Sequence, residues 1–192
     1  MMYLHHLCIT SGKGDKFGFL CPHHMTEKGN TPELRATYLQ QRICEVQKDV
    51  FMAPYVHSDH WQLFVLSMKS NTVVFLCSLH YKLGKEMKKT IDLAMRTYQN
   101  VVLQKHGHEL KDPTWIEPKS HRQPVRTNLC GLYVMRHMLN IITLSMTEFT
   151  KEMFDNSDAF SEAKIEDIRI RWATYFVENL IGDERWMQAY NP

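Results

Sequence analysis

The chain of 192 residues has the length of one domain, long enough to bury roughly 70% of its unfolded surface in a single core. Hydrophobic residues at 44% and charged residues at 23% are the balance of a folded protein, not of a disordered one. A formal charge of +2, spread along the chain, excludes the clustered Lys and Arg that a nucleic-acid surface needs, and the run Lys85 to Lys89, broken by Glu86 and Met87, reads as a solvated helix face.

Residues 1 to 16 form a poorly patterned lead-in, and turn signals recur at Ser11-Gly12, at Lys28-Gly29-Asn30 and at Pro32. From Pro32 the apolar residues Leu34, Tyr38, Leu39, Ile43 and Val46 follow helical spacing, with Pro54 as a stop. Two runs rich in Val, Leu and Phe, Trp61 to Met68 and Thr72 to Leu79, flank the polar turn Lys69-Ser70-Asn71 and predict a β-hairpin. Met87, Ile91, Ala94, Met95, Tyr98 and Val102 predict an amphipathic helix within Gly84 to Lys105 that packs on the sheet.

A loop carrying Pro113, Pro118 and Pro124 leads to Leu129-Cys130-Gly131, after which Leu132 to Leu144 is apolar enough for a buried helix. Ser161 is placed to cap a last helix with the apolar face Ile165, Ile168, Trp172, Tyr175, Phe176 and Leu180, and Gly182 is its expected stop. A main domain over residues 17–182 and a tail over 183–192 complete the expected organisation.

Five cysteines, Cys8, Cys21, Cys44, Cys77 and Cys130, are odd in number and contain no CxxC pair, which points away from a disulfide framework and toward a reducing, intracellular setting. The chain start lacks the pattern of a secretory signal, and no run reaches the length of a membrane span. His5, His6, Cys8, Cys21, His23 and His24 are ligand types for zinc, but their spacing matches no ordinary finger, and no metal or other cofactor is expected.

Three residues carry chemistry. Cys130 precedes a glycine and opens an apolar helix, so that helix-start amides lie beside the sulfur. His60 stands before the first hairpin strand, followed by Trp61, an indole able to cover the imidazole. Gln123-Pro124 sets a side-chain amide on a proline-held loop, as a donor to an oxyanion requires. Thiol proteolysis needs these parts: a sulfur nucleophile, a base and oxyanion donors.

The string Gln123-Pro124-Val125-Arg126-Thr127-Asn128-Leu129-Cys130-Gly131-Leu132-Tyr133-Val134 resembles the nucleophile motif of the ubiquitin-like-protein-specific (SUMO-type) cysteine proteases, above all their plant, transposon-associated branch. Met52-Ala53-Pro54-Tyr55 followed by His60-Trp61 resembles the segment leading to that family's catalytic histidine, and Phe75-Leu76-Cys77-Ser78-Leu79 resembles its second strand. The resemblance implies a papain-like α/β (α+β) fold with a mixed central sheet flanked by helices and the nucleophile at a helix start. It further implies His60 as general base, Cys130 as nucleophile and Gln123 as oxyanion donor, and cleavage after the C-terminal glycine of a ubiquitin-like modifier in a precursor or conjugate.

The expected partner is that modifier, with no nucleic acid, no membrane and a monomeric enzyme, and the family suggests the nucleus or the cytoplasm. One departure stands out. Where the family has the Asp that orients the histidine, this chain has Cys77, so the resemblance allows a reduced or lost activity, and the alternative is an inactive, transposon-derived binding module. Cys21 likewise stands before Pro22 where the branch commonly has Asp.

Overall fold

The computed structural model describes residues 2–181. Its centre is a five-stranded mixed sheet in the order β1 to β5: Phe17–Phe19, Val50–His57, His60–Ser67, Thr72–Leu76 and Thr114–Ile116. The middle three strands form an antiparallel meander, while β1 joins β2 and β5 joins β4 in parallel. The helices are α1 (Met2–Thr10), α2 (Pro22–Met25), α3 (Pro32–Val46), α4 (Lys85–Val101), α5 (Cys130–Thr143) and α6 (Glu162–Phe176).

Strand alternation sorts the core into two layers, because successive side chains point to opposite faces of a sheet. Phe51, Ala53, Tyr55, Phe64, Leu66, Val73 and Phe75 meet Leu39 and Ile43 of α3 and Met87, Ile91, Ala94 and Met95 of α4. Val50, Met52, Leu63, Val65, Val74 and Leu76 face the other way, against Val134, Met138, Ile141 and Ile142 of α5, Leu4 and Cys8 of α1, and Ile168 of α6. With both faces covered, the central strands read as near-continuous apolar runs without a polar side.

The predicted hairpin, the helix on the sheet, the buried helix after Leu129 and the last helix are all present, with ends shifted by one to four residues. Thr31 and Ser161 cap α3 and α6 through their hydroxyls, which accept the N–H of Leu34 and of Lys164. Pro54, read from sequence as a helix stop, lies inside β2 beyond the three residues that pair with β1, so its missing N–H leaves no partner on that side unmet. Residues 2–10, patternless in sequence, fold as α1 and place Leu4 and Cys8 in the core. The expected stop at Gly182 and the tail that follows lie outside the described residues.

Among the described residues no helix is long and apolar enough to cross a membrane. Nor do three or more His, Cys, Asp or Glu side chains there gather as ligands for a metal ion. The N-terminal histidines instead pack on rings: His5 on Phe19, His6 on Tyr175 and His24 on Tyr38. In the lysine run, Lys88 sits 4.0 Å over the indole of Trp115.

Candidate active site

The start of β3, the end of β4 and the start of α5 meet at one end of the sheet. Asp59 and Ser58 turn the chain with positive φ into His60, whose imidazole is 4% exposed. Trp61, one step further, points to the opposite face, where a Cβ added to Gly131 would stand 3.7 Å from its Cδ1. The close approach of Gly131 to Trp61 thus carries the first turn of α5, and Cys130 with it, to the strand that bears His60.

Cys130 is the first residue of α5 and is 9% exposed. A first-turn amide has no acceptor within its own helix, so the Cys130 N–H is available to a ligand. No side chain caps this helix start either.

Burial lowers the pKa of His60 below the usual histidine value, because desolvation disfavours its charged form. Its Nε2 lies 3.3 Å from Cys77 Sγ. Cys77 is also buried, and burial pushes its thiol pKa up, against a smaller downward pull from the N–H groups of Tyr81, Leu79 and His80 and from Gln62. The Tyr81 N–H reaches the sulfur at 3.3 Å in a turn closed by the His80 N–H on the Cys77 carbonyl at 3.0 Å.

The sequence placed Trp61 over the imidazole. Among the aromatic pairs of the described residues the ring that meets His60 is instead Tyr81, edge-on at 5.5 Å, because Trp61 has the opposite strand parity. Ser78, in the turn just past β4, meets Gln123 and not His60.

Gln123 is 4% exposed and held at three points. Its N–H donates to the Ser78 carbonyl at 3.0 Å, the Ser78 hydroxyl donates to its Oε1 at 2.7 Å, and its Nε2 donates to the Thr127 carbonyl at 2.7 Å. Since a primary amide carries two N–H bonds on Nε2, one of them is left over. The Thr127 hydroxyl on the Pro124 carbonyl, at 2.8 Å, and Arg126 with positive φ set the bend of this loop.

His60 thus meets Cys77, Gln123 meets Ser78 and Thr127, and the start of α5 that bears Cys130 lies against Trp61, the residue after His60. Such an arrangement can move a proton from a thiol to an imidazole and offer two N–H donors to an oxyanion. Ser78 is the residue whose part the sequence did not announce, since its partner lies 45 positions away.

Beside the site, Leu4, Pro54, Trp61, Gly131, Val134 and Trp172 help to line an apolar pocket of about 340 Å³. It shares Trp61 and Gly131 with the approach to Cys130.

No family model matches the chain, and no curated protein matches it in sequence. Solved structures do match in fold. The SUMO protease Ulp1 with its catalytic cysteine oxidised to a sulfenic acid has a TM-score of 0.59 and 14% identity over 92% of this chain and 73% of that one. The C-terminal Ulp1 protease domain in complex with Smt3, the yeast ortholog of SUMO, has a TM-score of 0.55 and 14% identity over 91% and 74%. The Xanthomonas campestris effector XopD bound to ubiquitin has a TM-score of 0.57 and 14% identity over 90% and 86%. The architecture is that of Ulp1-like protease catalytic domains, as the sequence resemblance implied.

Proposed function

We propose that the chain is a cysteine peptidase that cleaves ubiquitin-like modifiers from precursors or conjugates. The observation that carries this reading is the lock on Gln123. A buried side-chain amide held at both ends with one N–H left over, at the same sheet end as a buried histidine and a helix-start cysteine, has the build of an oxyanion donor. The fold shared with Ulp1, whose protease domain binds Smt3, and with XopD, which binds ubiquitin, supports the substrate class. The closer placing in the plant branch rests on the Gln123-to-Val134 string alone.

The chemistry follows from the residues. His60 Nδ1 takes the Cys130 thiol proton as Sγ attacks the carbonyl carbon of the modifier's last glycine. The carbonyl oxygen gains the negative charge and accepts the N–H of Cys130 and the spare Nε2–H of Gln123. The tetrahedral intermediate collapses, the C–N bond breaks, and the imidazolium returns its proton to the leaving amine. Water then attacks the thioester with His60 again as base, releasing the modifier's carboxylate and the free thiol.

Modifier probes bearing a C-terminal electrophile test this. SUMO- or ubiquitin-type probes are expected to form a covalent adduct on Cys130 that is lost in Cys130→Ala, and the absence of any adduct with either probe type would contradict the reading. Cys77 favours one second reading, a modifier-binding module without turnover. Modifier binding unchanged by Cys130→Ala, with no cleavage, would select it.

A further inference from the structure

Two consecutive residues just past the end of β4 govern different halves of the candidate site. Cys77 packs with Val73 and Phe75 and meets His60, and Ser78, in the turn that follows, meets Gln123. On the reading that Gln123 is the oxyanion donor, we propose that Ser78 is a positioning residue for the reaction: its hydroxyl anchors the oxygen end of the Gln123 amide and so aims the spare Nε2–H at the developing oxyanion.

The geometry separates this role from packing. The Thr127 carbonyl can only accept, so the end of the amide that faces it must be nitrogen, and Oε1 is thereby turned to Ser78. Oε1 then needs a donor inside the protein, because Gln123 is buried. The Ser78 Oγ–H supplies one at 2.7 Å, from a side chain itself 5% exposed. The backbone bond from Gln123 N–H to the Ser78 carbonyl, 3.0 Å long, holds the two residues together whatever the side chain at position 78.

With the hydroxyl gone and the main chain in place, Oε1 is a buried acceptor without a donor. The amide then gains by rotating its oxygen toward water in the cleft, and that rotation carries the spare N–H off its line. Substrate binding is expected to hold, since the spare N–H serves the oxyanion and not the bound ground state. The loss falls on kcat because an oxyanion donor acts in the transition state and not in the bound ground state.

The test is a set of variants assayed on a modifier precursor: Ser78→Ala, Ser78→Thr and Ser78→Val, each alone and with Gln123→Ala. Thr and Val have nearly the same shape, so any strain at position 78 is common to both, and only Thr keeps the hydroxyl. Removing an oxyanion donor costs about 10²- to 10³-fold in kcat, and a misaimed donor is expected to cost about tenfold or more of that with KM within about twofold. Ser78→Val and Ser78→Ala are expected to show this loss and Ser78→Thr to retain most of the wild-type kcat. In the Gln123→Ala background neither loss remains.

Equal kcat for the Thr and Val variants, or the same loss with and without Gln123, would overturn the proposal while leaving the function standing. If Gln123→Ala itself leaves kcat unchanged, the assignment of Gln123 fails and the role of Ser78 with it.

Discussion

His60 Nε2 and Cys77 Sγ stand 3.3 Å apart, both buried. On the proposed reading, Cys77 stands where a carboxylate would orient the imidazole. The thiol differs from a carboxylate in two ways. It brings no charge while protonated, and its hydrogen can be donated to Nε2. A carboxylate only accepts, so it fixes the hydrogen on Nε2 and leaves Nδ1 free to act as a base. A thiol can take either part, so beside the productive Nε2–H···Sγ tautomer it also admits S–H···Nε2, in which the hydrogen sits on Nδ1 and proton uptake from Cys130 is blocked.

Cys77→Asp is therefore expected to raise kcat/KM by about tenfold or more, a gain below the ~10⁴-fold that separates Asp from Asn in a serine triad because sulfur needs less help from its base. Steady-state cleavage of a modifier precursor checks it. A fall in rate with the fold intact would show that the sulfur does something a carboxylate does not.

The same variant changes the pH profile. Burial holds the His60 pKa down, so the neutral base persists to below pH 6.5, and the acid limb of kcat/KM is expected below that value in the wild type. A carboxylate beside Nε2 stabilises the imidazolium, so Cys77→Asp is expected to move the acid limb upward. Rate profiles between pH 4.5 and 9 give the direction.

A second buried histidine governs acid stability. His137 of α5 is desolvated, and His121 faces it with ring centres 6.1 Å apart; burial first and this neighbour second hold its pKa at about 3. The unfolded chain titrates near 6.5, so it binds a proton that the folded chain refuses. Stability from this group is complete above about pH 6.5 and is lost as the pH falls toward 3, by about 3 to 5 kcal/mol across the window. Urea midpoints of the wild type are expected to fall over that range, and His137→Leu is expected to flatten the fall.

Packing at the sheet edge gives another test. A Cβ on Gly18 of β1 would lie 2.6 Å from Phe51 Cε1 in the core. Gly18→Ala is expected to cost about 1 to 3 kcal/mol in unfolding free energy by displacing that ring. An unchanged urea midpoint would show that Phe51 can yield without cost.

Long elements with strong periodicity were legible in the sequence. The β3–β4 hairpin, α4 and α5 each bury a face whose spacing shows in the residues themselves. β1 and β5 are three residues long, too short for any period, and form only by pairing in parallel with strands far along the chain. α1 exposes residues of every kind around Leu4 and Cys8, so its helical face appears only once α5 is there to cover it. Pro54 misled because a strand's tolerance of proline depends on which neighbour is missing.

At the site, Cys130, His60 and Gln123 were singled out through residue type, local setting and resemblance. The Ser78–Gln123 bond could not be read, because a hydrogen bond across 45 residues leaves no mark in local pattern. Ser78 lies in the turn just past β4, where no periodicity says what a side chain meets.

The reactivity of the five thiols tests the central claim most directly. Iodoacetamide at limiting amounts, followed by mass spectrometry of the peptides, measures the alkylation rate at Cys8, Cys21, Cys44, Cys77 and Cys130 in one sample of folded protein. Cys130 is expected to react fastest and to slow by about tenfold or more in His60→Ala, while the partly exposed Cys21 and Cys44 keep their rates. A Cys130 rate no higher than theirs, or one indifferent to the loss of His60, would contradict the account.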